Sequence, residues 1–378
     1  MMNVALLGYG TVGGGVDQII NERSDLRVVK ILEKAPRPGI EGRVVRDIAE
    51  IVTDPGIDIV VEVLGGVRPA YDFVHAALEA GKHVVTANKA MVSACCSELT
   101  QLAAEHGAAF RCTAAVGGGI PWLHNLARCR RIDEIREISG IMNGTTNYIL
   151  HTMLSGAPFE EVLKKAQELG YAEADPSADI DGPDIRRKLV ISAAVAFDML
   201  VREEDIPMAG IRAITAEDVG NFKKLGRVCK LMAHAEKGKN GLSAVVEPTL
   251  LLPEEPDAAI PANYNIISLN GKLNGIQSFY GQGAGRYPTA ANVVSDCLDI
   301  LAGERAFYSK PVPAAVDNSA ARHEYYVRTA RQDAYLSAVA ATQGDGYVIT
   351  KPLCVDEMHI WAKEKAKSDP TLFFAGIR

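Results

Sequence analysis

The sequence predicts an α/β protein with a parallel sheet in its first third and antiparallel hairpins behind it. Three observations lead to this prediction. Short apolar runs alternate with helical patterns up to residue 88, which is typical of crossover connections between parallel strands. Alternating apolar residues with Asn-Gly pairs at 270–271 and 274–275 predict antiparallel hairpins. Strand and helix patterns from residue 320 onwards predict a small α+β unit.

Composition and charge narrow the class of protein. A chain of 378 residues predicts about two to three domains. With 40 Lys and Arg against 47 Asp and Glu, the net charge of −7 argues against nucleic acid or an anionic membrane as the main partner. No apolar run is long enough for a membrane span, and the N-terminus lacks a signal-peptide pattern. Seven cysteines without repeating spacing predict reduced thiols and a cytoplasmic protein.

The first strand, NVALL, leads into a glycine loop and then a helical pattern. Gly8, Gly10 and Gly13 have the G-x-G-x-x-G spacing. Between a strand and a helix, these positions serve a tight turn, close approach of a pyrophosphate and close helix packing. Thr11 and Val12 begin the helix, whose free N–H groups would meet the anion. The pattern predicts a Rossmann-type dinucleotide-binding domain; a plain glycine-rich turn is the alternative.

The second strand, LRVVKIL at 26–32, ends in an acid followed by bases. Glu33 stands where an acid usually binds the ribose 2′-hydroxyl and selects NAD. Lys34 and Arg37 follow at once, and bases at this position suit the 2′-phosphate of NADP. The sequence therefore leaves the choice between NAD and NADP open.

The next two strand patterns, in VVEVLGG and HVVTANK, end in small or polar residues. Ligands of parallel sheets bind beyond the carboxyl ends of the strands. Gly65, Thr86, Asn88 and Lys89 are therefore predicted to border the cofactor. For Lys89, a plain surface lysine is the alternative.

Glycines and small polar residues mark three further turns. The run AAVGGGIP predicts close backbone packing or a ligand-facing loop. Asn143, Gly144 and Thr145 lie between a strand and a helix, where they cap the helix or hydrogen-bond a nicotinamide amide or a small polar substrate. Gly283 and Gly285 precede another predicted helix. They are predicted either to bind a phosphate or only to form the tight turn of a hairpin.

The run GYAEADPSADIDGPDIRRKLVISAAVAF places four carboxylates, Glu173 and Asp179 among them, before a helix. Asp184 and Lys188 lie four residues apart and share one face of that helix. An isolated exposed pair of this kind contributes only a few tenths of a kcal/mol. The apolar residues that follow predict a largely buried helix, and a loop of four carboxylates is costly unless a cation binds it. The segment therefore predicts a site for a small ammonium substrate.

Together these motifs resemble the homoserine dehydrogenase family. GYGTVGGGV, VVEVLGG, TANKA, VGGGIP, NGTTNYIL, YAEADPSADIDGPDIRRKL and GQGAGRYPTA occur in the family's order over residues 3 to 305. The resemblance implies a Rossmann domain at 1–133, completed by 286–315, and a substrate-binding and dimerisation domain with a mixed sheet at 134–285. It also implies a shortened ACT-like unit at 320–378.

The resemblance implies a reaction as well as a fold. The reaction is reversible hydride transfer between NAD(P)H and aspartate 4-semialdehyde, which gives homoserine for threonine and methionine biosynthesis. The expected enzyme is a cytoplasmic homodimer or homotetramer that acts on a small molecule and binds neither nucleic acid nor membranes.

The resemblance also assigns roles to residues. Lys188 is similar to the lysine that protonates the nascent alkoxide, and Asp184 to the acid that orients the substrate hydroxyl. Lys89 matches a lysine near the reacting carbon. Glu173 and Asp179 match the carboxylates that hold the substrate, with Glu173 at its ammonium group. The same motifs supply the remaining predicted substrate contacts: Tyr171, Asn143, Gly144 and Thr145.

One position departs from the family pattern. The family commonly has a glutamate three residues before the valine of VGGGIP, where it helps to bind a structural Na⁺ or K⁺ ion; here that residue is Thr113. The backbone carbonyls of Val116 and Gly118 remain as predicted ligands.

Two other functions are consistent with this architecture. One is a dehydrogenase of another small amino-acid aldehyde. The other is a catalytically silent sensor of an amino acid or nucleotide, against which Asp184, Lys188 and Lys89 argue because a sensor needs no proton donor.

Overall fold

The computed structural model describes residues 1–35 and 37–378 and divides into two compact units. The first unit comprises residues 1–134, 190–200 and 281–313, and the second 135–189, 201–280 and 314–378. Pro36, within the predicted cofactor-selecting segment, lies outside the described residues. Within the described chain, no helix is both long and apolar enough to cross a membrane.

A parallel sheet forms the centre of the first unit. Its N-terminal part consists of β1 (Met2–Leu7), α1 (Thr11–Asn21), β2 (Leu26–Leu32), β3 (Val44–Val45), α2 (Ala49–Val52), β4 (Ile59–Glu62), α3 (Ala70–Glu79), β5 (His83–Thr86), α4 (Lys89–Glu105), β6 (Phe110–Arg111) and α5 (Trp122–Cys129). The strands lie in the order β3-β2-β1-β4-β5-β6, and their pairings are parallel. This is the strand order of the Rossmann fold, so the prediction of a Rossmann-type domain is confirmed.

The rest of the chain supplies the second sheet and completes the first unit. Its elements are β7 (Ile135–Ile141), α6 (Gly144–Met153), α7 (Phe159–Glu168), α8 (Ser177–Ile180), α9 (Pro183–Phe197), β8 (Met199–Leu200), α10 (Ala216–Lys224), β9 (Val228–Lys237), β10 (Leu242–Leu251), β11 (Tyr264–Gly271), β12 (Gly275–Gln282), α11 (Arg286–Leu301), β13 (Val312–Pro313), β14 (Arg322–Arg328), α12 (Ala334–Val339), β15 (Ala340–Gln343), β16 (Val348–Thr350), β17 (Leu353–Cys354), α13 (Val355–Ala366) and β18 (Phe373–Ile377).

Helix α11 belongs to the first unit and packs on α1. The two helices approach closely because Gly15 has no side chain: a Cβ there would lie 3.0 Å from the Cβ of Ala290. Val293 and Ile300 of α11 are buried in the same core as Val16 and Ile20 of α1. A segment far along the chain thereby completes the nucleotide-binding unit.

The second unit is built on a mixed sheet, as predicted. Its strands lie in the order β12-β11-β7-β9-β10-β18-β14-β16-β15, and β17 pairs with β14. The β10–β18 pairing is parallel, whereas the described pairings of β7 with β9 and β11, β9 with β10, and β14 with β16 and β18 are antiparallel.

The C-terminal segment continues this sheet. Apart from the two-residue strand β17, residues from β14 to β18 follow the β-α-β-β-α-β order, with strands arranged β18-β14-β16-β15, the arrangement of ferredoxin-like motifs. Thr249 and Leu250 of β10 pair with Gly376 and Ile377 of β18. The segment predicted as a separate C-terminal unit therefore shares one sheet with the preceding part of the second unit.

Two local predictions were wrong. Only the second Asn-Gly pair begins a strand after a turn, because Asn270 and Gly271 still belong to β11, where they pair with β7 across a register shift. The helix predicted at 333–342 ends at Val339, since residues 340–343 form β15 and pair with β16. In both cases strand pairing captures residues whose local pattern favours another conformation: β11 pairs with the distant strand β7, and β15 pairs with the nearby strand β16.

Candidate active site

The glycine loop after β1 has the form that a pyrophosphate requires. Gly8 adopts a φ of +97°, and a Cβ on Gly13 would lie 2.3 Å from the Gly8 carbonyl oxygen. A Cβ on Gly10 would meet no atom within 4 Å, so this side of the loop is open to a ligand. Helix α1 begins at Thr11 without a side-chain cap, and Val12 packs against the core. The residues present therefore fit a dinucleotide at the N-terminus of α1.

Glu33 follows β2 and contacts the glycine loop directly. The Tyr9 N–H donates to Oε1 of Glu33 at 2.6 Å. Arg37 donates to the Tyr9 carbonyl oxygen at 2.8 Å and lies 3.6 Å from the Glu33 carboxylate, while Lys34 is exposed. Glu33 and Arg37 are therefore in one cluster beside the loop, and Lys34 is their exposed neighbour in the chain.

Glu62, at the carboxyl end of β4, organises the two other loops predicted to border the cofactor. It is fully buried, and burial raises its pKa. Thr86 donates to its Oε2 at 2.5 Å, and the Leu64 N–H donates to Oε1 at 2.7 Å. Weaker hydrogen bonds come from the N–H of Gly65 and the amide of Asn88. Sequence reasoning quoted the VVEVLGG motif without selecting this acid, although a carboxylate inside an apolar strand was a usable signal.

Asn88 positions Lys89. Its side-chain oxygen accepts from the Met91 N–H at 3.2 Å and caps α4, and its amide donates to the Gly66 carbonyl at 2.6 Å. Lys89 is the first residue of α4 and is half-buried. The predicted lysine therefore stands at the carboxyl end of β5, in the loop that Glu62 organises.

Gly283 and Gly285 also belong to the first unit. Gly285 adopts a φ of +119° and precedes α11 as its N-cap. Gly118 has a φ of +55°, and a Cβ on it would lie 2.4 Å from the Gly283 carbonyl oxygen. The GQGAG turn therefore packs against the VGGGIP loop backbone to backbone, which only glycine permits.

In the predicted cation loop, Thr113 and two backbone carbonyls have hydrogen-bond partners on α11. Thr113 donates through N–H and hydroxyl to Asp296 at 2.8 and 2.7 Å. The Gly118 carbonyl, a predicted ligand, accepts from Nδ2 of Asn292 at 2.6 Å, and the Ile120 carbonyl accepts from the same nitrogen at 3.0 Å. An uncharged amide with both N–H groups pointing at the carbonyls does not fit a bound cation beside it. Sequence reasoning did not select Asn292 or Asp296.

In the second unit, Lys188 and Asp184 form a buried ion pair. Gly182, with a φ of +102°, precedes α9, and Asp184 lies in its first turn. The Lys188 Nζ lies 2.7 Å from Oδ2 of Asp184 and donates to the Met142 carbonyl oxygen at 2.5 Å. The Lys188 and Asp184 side chains are only 9% and 7% exposed. The predicted pair is therefore present and removed from bulk water.

Asn143 joins this pair to a second carboxylate. It caps α6 by accepting from the Thr146 N–H at 2.9 Å. Its amide nitrogen donates to Oδ1 of Asp179 at 2.7 Å and to Oδ2 of Asp184 at 2.9 Å. The predicted helix cap is therefore present, and the same side chain also joins the two carboxylates. A hydrogen bond to a nicotinamide amide or a small polar substrate, the other predicted role, stays a prediction.

The other predicted substrate contacts differ in their distance from this cluster and in their exposure. Gly144 allows close packing, since a Cβ there would lie 2.5 Å from the Asn263 carbonyl oxygen. Thr145 donates to the Tyr171 carbonyl oxygen at 2.5 Å, and the ring of Tyr171 lies against Tyr148. The structure brings Asn143, Asp179, Asp184 and Lys188 together, whereas Glu173 is exposed on the preceding loop.

Family comparisons agree over both units. The model of the homoserine dehydrogenase NAD-binding domain matches residues 8–113, and that of homoserine dehydrogenase matches residues 121–298. Homoserine dehydrogenase of Bacillus subtilis (strain 168) is 40% identical over 319 residues, which cover 80% of this chain and 74% of that protein.

Solved structures give the same result. A homoserine dehydrogenase from Thiobacillus denitrificans superposes with a TM-score of 0.89 at 30% identity, covering 100% of this chain and 98% of that one. A hyperthermophilic archaeal homoserine dehydrogenase mutant in complex with NADPH gives a TM-score of 0.69 at 26% identity, covering 80% of this chain and 99% of that one. The chain belongs to the homoserine dehydrogenase family of NAD(P)-dependent oxidoreductases.

Proposed function

We propose that this chain interconverts aspartate 4-semialdehyde and L-homoserine, with Lys188 as the catalytic proton donor and acceptor. The observation that carries the proposal is the buried Lys188 ammonium, held by Asp184 and the Met142 carbonyl. A bound nicotinamide dinucleotide supplies the hydride and takes it back in the reverse direction.

Lys188 acts on the oxygen of the reacting carbon. Reduction of an aldehyde places negative charge on that oxygen, and a nearby ammonium stabilises the charge and delivers the proton. In the oxidation of homoserine, the neutral amine removes the hydroxyl proton. Asp184 fixes the direction of the ammonium group from one helical turn away, and burial strengthens this interaction because water is excluded.

We assign the substrate ammonium group to two carboxylates that precede α9: Asp179 in α8 and Glu173 in the loop before α8. Asp179 is held by the Asn143 amide close to Asp184. Glu173 is exposed and contributes from the loop that contains it. Lys89, at the start of α4, is assigned to the reacting group through the family resemblance.

For the cofactor, we propose that Glu33, Lys34 and Arg37 jointly read the 2′-position of the ribose. Glu33 already accepts from the Tyr9 N–H and lies beside Arg37, which reduces its repulsion of a 2′-phosphate. Lys34 is exposed and able to reach such a phosphate. This arrangement supports use of NADP in addition to NAD.

We further propose a cytoplasmic homodimer or homotetramer that associates through the second unit. The edge strand β12 exposes Ile276 and Tyr280, at 72% and 53%, next to Leu273 at 68%. Exposed apolar residues along an edge strand favour pairing with another copy. Light scattering coupled to size exclusion tests this, and Ile276→Lys should shift the mass toward the monomer.

The C-terminal β-α-β-β-α-β segment supports the proposed ACT-like unit, whose ligand the sequence leaves open. Calorimetric titration of the full chain with threonine and methionine tests whether it binds an end product of the pathway. If titration gives no heat of binding for either threonine or methionine, feedback regulation by these two amino acids is contradicted.

The activity is tested by following the absorbance of reduced cofactor while the purified protein oxidises homoserine, with NAD and NADP in separate reactions. We expect turnover by the wild type and a loss of about two orders of magnitude or more in Lys188→Ala. Lys164→Ala removes an exposed lysine on α7 and is the matched control.

The alternatives give different results in this assay. Binding of homoserine without turnover would establish a silent sensor. Faster oxidation of another amino alcohol of similar size would establish a dehydrogenase of another amino-acid aldehyde. Equal activities of Lys188→Ala and the control would refute the role of Lys188.

A further inference from the structure

Helix α11 holds the VGGGIP loop through two polar residues one turn apart. Asn292 and Asp296 share a buried face of this helix, at 6% and 1% exposure. Asp296 accepts from the N–H and hydroxyl of Thr113, at the start of the loop. Asn292 donates to the carbonyls of Gly118 and Ile120, at its end. The loop is therefore fastened at both ends by one helix.

The amide nitrogen of Asn292 has two hydrogen-bond acceptors, as many as its N–H groups can serve. A primary amide has two N–H groups, and each here points at one backbone carbonyl, at 2.6 and 3.0 Å. These carbonyls belong to residues 118 and 120, in the loop where the family places a structural monovalent cation. Two converging carbonyl oxygens attract a cation for the same reason that they attract N–H donors.

We propose that the Asn292 amide takes the place of the monovalent cation in this chain. The nitrogen bridges the carbonyl oxygens from a position that an ion bound to both would need. Thr113, which stands where the family commonly has a glutamate, carries no charge to retain an ion and is itself bound to Asp296. The loop is thereby fixed without Na⁺ or K⁺.

The position of this loop matters because the loop packs against the segment that leads into α11. A Cβ on Gly118 would overlap the Gly283 carbonyl, and one on Gly119 would lie 2.6 Å from the Cβ of Pro288. A shift of the loop would therefore displace the GQGAG turn, which contains the predicted cofactor contacts Gly283 and Gly285. Asn292 is a positioning residue that acts through this packing.

The test measures the unfolding temperature of the full chain in NaCl, KCl and tetramethylammonium chloride at equal ionic strength. The wild type should have the same Tm in all three salts to within about 1 °C. Asn292→Ala leaves two buried carbonyls without donors, so its Tm in tetramethylammonium chloride should fall by roughly 5 °C. Na⁺ or K⁺ should restore part of this loss by binding the vacated carbonyls.

Ser295→Ala is the matched control. Ser295 lies on the same helix, is exposed, and donates only to the Ala291 carbonyl in its own helix. Its Tm should remain that of the wild type in every salt. If Asn292→Ala does not fold, Asn292→Ser retains one donor and allows the same comparison.

Three results would overturn the proposal. A wild-type Tm that rises specifically with Na⁺ or K⁺ would show that the native loop uses an ion. An Asn292→Ala variant as stable as the wild type would show that the amide does not hold the loop. A destabilised variant that neither ion restores would make Asn292 a packing residue only. Because the readout is an unfolding temperature, these results are independent of the proposed catalytic role of Lys188.

Discussion

A buried carboxylate on β10 connects the C-terminal segment to the rest of the second sheet. Glu247 is 2% exposed. Its Oε1 lies 2.8 Å from Nδ1 of His323 on β14, and its Oε2 lies 2.8 Å from Nε2 of His359 on α13. Gly376 of β18 leaves room for it, since a Cβ there would lie 2.5 Å from Oε1. Glu247→Gln removes the charge while retaining the shape of the side chain.

The free energy involved follows from the pKa of Glu247. Burial alone would raise it, but the hydrogen bonds and charges of His323 and His359 lower it from 4.5 to about 2. The difference corresponds to about 3 kcal/mol of folding free energy. Because the folded-state pKa is depressed, this stabilisation is fully present above pH 4.5 and is lost as the pH falls toward 2. At pH 3.5, about 1 kcal/mol of it should already be lost.

Urea unfolding between pH 3.5 and 7 measures this contribution. Fluorescence of Trp361 on α13 reports on the C-terminal segment when all variants carry Trp122→Phe, which removes the other tryptophan. Glu247→Gln should lower the free energy of unfolding by up to about 3 kcal/mol at pH 7. The difference in unfolding free energy between this variant and the wild type should become smaller as the pH falls. The control is Glu236→Gln, which removes the charge of an exposed carboxylate near the end of β9.

The wild type and Glu247→Gln would have parallel pH profiles if the histidines did not stabilise the charged carboxylate. That result would refute the reasoning, whatever the absolute stability of the variant. A Glu236→Gln profile that also converged on the wild type at low pH would point instead to a general effect of net charge.

Three further predictions concern the two units. Asn143→Ala removes the donor shared by Asp179 and Asp184, so kcat/KM for homoserine should fall about 10- to 100-fold, measured in the same absorbance assay. Lys34→Ala should lower kcat/KM for NADP about tenfold relative to NAD, and an unchanged ratio would exclude it from reading the 2′-phosphate. Burial lowers the pKa of Lys230 to about 8, so the unfolding free energy of the wild type should rise between pH 8 and 10.5; Lys230→Met should lack this rise in urea titrations.

Local patterns were sufficient to predict four strands of the first sheet, β1, β2, β4 and β5, and the glycine loop. Gly8 takes a φ of +97°, and a Cβ on Gly13 would meet the Gly8 carbonyl oxygen, so both positions answer a steric requirement within the loop itself. The alternation of strands and helices then favours parallel pairing. The Asp184–Lys188 pair was equally accessible, because an interval of four residues on a helix defines a shared face whatever the tertiary structure.

Contacts between distant segments could not be predicted from one sequence. Asn143 meets Asp179 and Asp184 across 36 and 41 residues, and the Glu247 oxygens meet histidines 76 and 112 residues away. A helix cap explains Asn143 locally, and nothing in its neighbourhood shows that its amide is also a bridge. The Asn-Gly prediction at 270–271 failed for the same reason, since the partner strand β7 decides where β11 ends.

The burial of Lys188 and Asp184 indicates that this pair serves catalysis rather than stability. An exposed pair at this spacing adds a few tenths of a kcal/mol to stability. For a pair that is 9% and 7% exposed, the cost of taking both charges out of water offsets most of their stronger attraction. Two well-packed apolar residues would serve the stability of α9 at least as well, as the buried Leu189 and Val190 that follow illustrate. Retention of two charges at this position, with Asn143 and the Met142 carbonyl arranged around them, is therefore better explained by chemistry than by folding. Lys188→Met, which keeps most of the side chain's bulk, should therefore abolish most of the activity while leaving the protein folded.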